Sequence, residues 1–146
     1  LKLLPSHHEC FICGDKNVKG LQFRFWYDGE FVTTKLEGKP EYIGHGSIHG
    51  GLAAAVLDEA MALTATLKKR TLCVSAEMII RYLKPLEVGH VYTVRAKMVA
   101  DRKILCLSDG DIIDEDSNIF VKASLKSVPL PKEKSLKIHP TMEEYH

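Results

Sequence analysis

The sequence lacks any apolar run long enough to cross a bilayer: the longest, Leu52 to Leu57, is far short of the roughly 20 residues that a spanning helix needs. No basic, apolar, small-residue leader opens it, so a cytoplasmic location is expected, with no membrane partner. Charge of one sign is also missing. The 20 Lys and Arg nearly balance the 19 Asp and Glu, for a formal net charge of +1, which argues against an electrostatic nucleic-acid binder. Internal repeats and low-complexity tracts are absent, which removes solenoids and disordered linkers from consideration. Cysteine is sparse. Cys10 and Cys13 form one C-x-x-C pair, whereas Cys73 and Cys106 sit alone in apolar, strand-like runs. Without secretion signals a disulfide framework is not expected. Zinc sites as a rule need four ligands, and a second C-x-x-C is missing. His7 and His8 could complete a set with Cys10 and Cys13. The preferred reading is instead a tight, metal-free turn, followed by Gly14, at the entrance to the first strand.

What is present suits one domain. The 146 residues are 45% hydrophobic, enough for a single core. Leu21, Phe23, Phe25 and Tyr27 alternate with more polar positions, which predicts a strand. Asp28-Gly29 predicts a two-residue hairpin turn, with Phe31 to Leu36 as the returning strand. A glycine-rich loop, Gly38 to Gly51, leads into a helix from about Gly51 to Leu67. Lys68, Lys69 and Arg70 close that helix and suit the negative end of its dipole. Apolar nearly all round, it should be buried. Strands are expected over 72–83, 90–99, 104–113 and 119–128, with an irregularity or bulge at Asp109-Gly110. Residues 1–20 read as a lead-in, 1–128 as one domain, and 129–146 as a tail that packs loosely or reaches a neighbour. One apolar helix among about six antiparallel strands has an economical packing, an α+β plan in which the sheet curls around the helix.

The stretch Gly44-His45-Gly46-Ser47-Ile48-His49-Gly50-Gly51 meets the helix start. A helix start offers unpaired N–H groups and partial positive charge, and glycine lets a carbonyl or phosphate approach the backbone. A thioester carbonyl placed there would be polarised and its oxyanion stabilised. The alternative is that the glycines only turn the chain while His49 caps or packs. Asp58 lies mid-helix among residues that demand burial, where a carboxylate is costly unless paired or used. It could act as nucleophile or general base. Glu59, adjacent, points about 100° away around the helix. Both acids could instead pair with Arg81, Lys68 or a backbone donor. His49 and Asp58 lie roughly 13 Å apart along one helix axis, too far to share one thioester carbon. If both act on one substrate, a second copy must supply Asp58, and the site straddles a two-fold interface.

The run His49-Gly50-Gly51 followed by Asp58 resembles the H-G-G-(x6)-D signature of hotdog-fold acyl-CoA thioesterases related to the phenylacetic-acid-pathway enzyme. Cys10-Phe11-Ile12-Cys13-Gly14 with Asn17, Gly20 and Leu21 looks like the start of many members. Ser75 to Leu83 with Lys84-Pro85 and Gly89 looks like their strand after the helix. The resemblance covers about residues 10–128. It implies a hotdog fold, hydrolysis of an acyl-CoA to free acid and CoA, and a homodimer or dimer of dimers. No cofactor is implied beyond the CoA of the substrate. By resemblance Gly51, with Gly50 beside it, supplies the oxyanion N–H, His49 orients the thioester, Asp58 of the partner is base or nucleophile, and Ser75 positions the attacking water. Arg81 and Lys84 are candidates for the CoA phosphates, and Glu59 is placed with them on the substrate-binding side. Ile43 stands where several relatives carry asparagine, six residues before the histidine. A hotdog module that only binds acyl-CoA or an acyl carrier is the second reading; the presence of Asp58 favours the enzyme. A dehydratase would carry acid and histidine in the opposite order, which this sequence does not.

Overall fold

Burial alternates along the strands and is nearly continuous along one helix, and these two patterns set the architecture. The computed structural model describes residues 1–145. Strands β1 (Lys2–Leu3), β2 (Trp26–Tyr27) and β3 (Val32–Glu37) precede helix α1 (Gly50–Lys69). Strands β4 (Cys73–Tyr82), β5 (Val91–Asp101), β6 (Cys106–Ile113) and β7 (Ile119–Pro129) follow, then a short helix α2 (Lys132–Ile138) and a 3-10 segment, Pro140–Tyr145. All pairings are antiparallel, in one seven-stranded sheet of order β1-β2-β3-β5-β6-β7-β4. The sheet wraps α1, which packs on β3, β4, β5, β6 and β7. This is the hotdog arrangement.

Val32 and Leu36 of β3, Val94 of β5, Ile112 of β6 and Val121 of β7 turn inward against Val56, Leu57, Ala60 and Met61 of α1, all fully buried. Each large side chain so buried contributes about 1.5–3 kcal/mol before entropy is counted. Among the described residues α1 is the one helix long and apolar enough to span a membrane, although its unbroken apolar run is short, and here it is the core helix. Its close approach to the sheet explains Gly110. A Cβ there would meet Leu57 Cδ2 and Met61 Cγ, both at 3.1 Å. The bulge expected at Asp109-Gly110 is absent: both residues pair in register with β5 and β7, and the glycine serves helix–sheet contact instead.

Three further expectations change. Residues 21–25 do not join a ladder, because the Leu21 and Phe23 amides donate to Phe11 O and Ile12 O of the lead-in. The β2–β3 connection spans Asp28 to Phe31 rather than two residues, since Tyr27 pairs with Val32. Asp28 Oδ1 accepts from the amides of Glu30 and Phe31 and holds that turn. The C-terminal segment is not loose: Ser135, Met142 and Tyr145 are buried, and Met142 and Tyr145 belong to the core.

Candidate active site

The helix start is built by its own histidine. His49 occupies the N-cap position, and its Nδ1 accepts from the Gly51 amide at 2.8 Å. Its backbone amide donates to Tyr42 O, and the Ile48 amide donates to Leu86 O, so the loop is clamped from two sides. Gly50 and Gly51 are accessible from solvent. Tyr82 Oη donates to Gly50 O at 2.7 Å, and a Cβ on Gly50 would meet the Tyr82 ring at 3.2 Å. A hollow of about 340 Å³ opens beside this helix start, bordered by Gly50, Ala53, Tyr82 and Lys84. Gly50, at the helix start, lines it, and a helix start suits an oxyanion or carbonyl. His45 and Ile43 are exposed in the same loop, Ile43 bridging to Ile48.

Asp58 sits farther along α1, half-buried, where Ser75 Oγ donates to its Oδ1 at 2.6 Å. The geometry of Ser75 comes from a bulge: Ser75 pairs with Ser127 and Glu77 with Lys126, leaving Ala76 unpaired. Such a bulge re-aims the adjoining side chains. β4 is also the edge of the sheet. Along its open side and face, Val74, Ile79, Tyr82 and the following Leu83 are exposed, with Ser75 and Glu77 among them. Within one chain Asp58–Ser75 and His49–Gly51 are therefore two separate groups on one helix.

Arg81 and Lys84 also part company. Lys84 borders the hollow at Gly50, its ammonium 5.4 Å from the Phe120 ring centre. Arg81 lines a larger groove of about 470 Å³ on the outer face, with Arg95, Lys97 and Lys122. That groove is the roomier of the two; Asp58 lines neither it nor the hollow at Gly50.

Glu59, expected on the substrate side, instead turns to the lead-in, where its Oε2 is hydrogen-bonded with Cys10 Sγ at 3.1 Å. The 100° step around the helix separates it from Asp58. Burial pushes the Glu59 carboxyl well above the usual carboxylate range. The Cys10 thiol, by contrast, is lowered to about 5, chiefly by its hydrogen bond with Cys13 and against the opposing effect of burial. The predicted turn is present: the Cys10 amide donates to His7 O and the Gly14 amide to Cys10 O. Missed in the sequence were Tyr82, which braces Gly50, and the meeting of Glu59 with Cys10. Neither has a local signal, because the partners are far apart along the chain.

No curated protein matches the chain. Among solved structures it resembles a Streptococcus mutans protein determined bound to acetyl CoA (19% identity, 75% of this chain and 90% of that one, TM-score 0.69). It also resembles the Escherichia coli PaaI protein from the phenylacetic acid degradation operon (22% identity, 81% and 86%, TM-score 0.71). A third is zebrafish thioesterase superfamily member 2 (14% identity, 75% and 83%, TM-score 0.69). At these identities the likeness establishes the fold. The family comes from sequence: residues 45–120, over half of the chain and including both the His49 loop and Asp58, match the model of the thioesterase superfamily. The chain belongs to that superfamily.

Proposed function

We propose that this protein hydrolyses the thioester of an acyl-CoA, at a site completed by Asp58 of a partner subunit. The observation that carries the reading is the Ser75–Asp58 pair, presented beside an open sheet edge and about two helical turns from the amides of Gly50 and Gly51. An exposed ten-residue edge strand with apolar side chains is a surface that proteins ordinarily cover. A two-fold pairing of β4 with its copy would cover it and bring each Asp58 toward the other subunit's helix start.

The chemistry follows from these groups. The thioester carbonyl oxygen takes the Gly51 N–H in place of His49 Nδ1, which turns aside to the thioester. Asp58, held by Ser75, takes a proton from water as the water oxygen bonds to the carbonyl carbon. The C–S bond then breaks, Asp58 passes that proton to the sulfur, CoA leaves as the thiol, and the acid is released. With Asp58 as nucleophile, its carboxylate displaces the CoA thiolate to give an acyl-aspartyl anhydride. Water then cleaves that anhydride, its oxygen going to the acid and one proton to the thiolate. Lys84, at the mouth of the hollow, is the cation placed for a CoA phosphate. That solved relatives of the same fold hold acetyl CoA and coenzyme A supports this choice of substrate.

The test is thiol release from short, long and aromatic acyl-CoAs by the wild type and by Asp58→Asn. Loss of a base or nucleophile should lower kcat about 10²–10⁴-fold with melting temperature unchanged. Tight acyl-CoA binding without turnover by the wild type would make the protein a binding module and end the hydrolase reading.

A further inference from the structure

We propose that His7, Cys10, Cys13 and Glu59 form a zinc site that fastens the N-terminal lead-in to the middle of α1. One ligand atom from each of His7, Cys13 and Glu59 lies within 4.8 Å of the others, and Cys10 Sγ is 3.1 Å from Glu59 Oε2. Around a tetrahedral zinc with bonds of about 2.0–2.3 Å, neighbouring ligand atoms stand about 3.3–3.8 Å apart. Contraction by about 1 Å would bring His7, Cys13 and Glu59 to that spacing, with Cys10 joining them from beside Glu59. Imidazole nitrogen, two sulfurs and a carboxylate oxygen are all zinc donors, and two thiolates disfavour magnesium and calcium.

The surroundings are those of a ligand shell. His7 and Cys13 are each 3% exposed, so neither is an adventitious surface group. Ile12 N–H points at Cys10 Sγ at 3.4 Å, a contact that stabilises a bound thiolate. Gly14 makes the turn possible: a Cβ there would lie 2.3 Å from His8 O and 2.5 Å from Cys10 O. Tyr145 Oη lies 3.0 Å from His7 Nε2, and the His139 ring stacks on His7 with centroids 4.7 Å apart. Coordination through Nδ1 would leave Nε2–H donating to Tyr145, the outer contact that metal-binding histidines usually make. Among the described ion pairs none involves Glu59. His8, the alternative imidazole, is only half-buried and is bonded to Asp15 instead.

Four protein ligands leave no open position, so the metal is structural and stands apart from the hydrolytic step. The test is metal analysis of the full chain produced with zinc present and purified without chelator, followed by replacement with Co²⁺. One zinc per chain is expected, with thiolate-to-cobalt charge-transfer bands and tetrahedral visible bands in the Co²⁺ form. Cys13→Ser and His7→Ala should lose most of the metal, and a strong chelator should lower the melting temperature of the wild type. Wild-type protein that retains no zinc after incubation and desalting, and gives no charge-transfer band with Co²⁺, would overturn the proposal whatever the variants do.

Discussion

At Ser75 a hydroxyl and a helix carboxylate meet at 2.6 Å, on a strand whose bulge at Ala76 exists to no other evident end. A hydrogen bond to a charged group is worth about 1.5–3 kcal/mol, so losing it should cost Asp58 its orientation. Ser75→Ala is accordingly expected to lower kcat about 10–100-fold, with KM and melting temperature little changed; steady-state kinetics on an acyl-CoA would check it. A carboxylate inside so apolar a helix singles out Asp58 in the sequence, and the structure gives it a partner in Ser75. His49 was half legible: the motif marks it, but its hold on the Gly51 amide depends on a rotamer that spacing does not specify. Glu59 was read on the wrong surface. Its partner Cys10 lies 49 positions away, in an irregular segment that has no period to place it.

At the scale of elements, hydrophobic periodicity located α1 and β4 to β7 closely, because each buries one face or nearly all of itself against the others. It failed where backbone groups bond to loops. The alternation at 21–25 is real, yet those amides bond to the lead-in and no ladder forms. The Asp28 turn shows the same limit, since an Asx-type turn and a two-residue hairpin share the Asp-Gly signal. Here the carboxylate does the holding, and the amides of Phe31 and then Glu30 hold its pKa below the usual carboxylate range. A carboxylate with a lowered folded-state value stabilises the fold above the unfolded value near 4 and loses that contribution as pH falls through the folded one. Wild type should therefore lose more melting temperature than Asp28→Ala between pH 6 and pH 3. Parallel thermal curves for the two proteins would contradict this role for the turn.

For the whole molecule, the wrapped-helix plan followed from one apolar helix among many strands, and the structure bears it out. Helix spacing alone calls for a shared site, and the open β4 edge beside Asp58 offers a surface for it. Subunit mixing tests it directly. Asp58→Asn leaves the helix start intact. Gly51→Pro removes the N–H at a first-turn position that tolerates proline, with Gly50 easing the restriction on the preceding residue. A Cβ at 51 needs only the His49 ring to move, since Nδ1 is 2.9 Å away. Each variant alone should be nearly inactive. Dissociated, combined in equal amounts and reassociated, half of the dimers should be mixed, each with one intact and one doubly damaged site, so about a quarter of wild-type thioesterase activity should return. No recovery, with mixed dimers demonstrated by native mass spectrometry, would contradict a site built from both subunits.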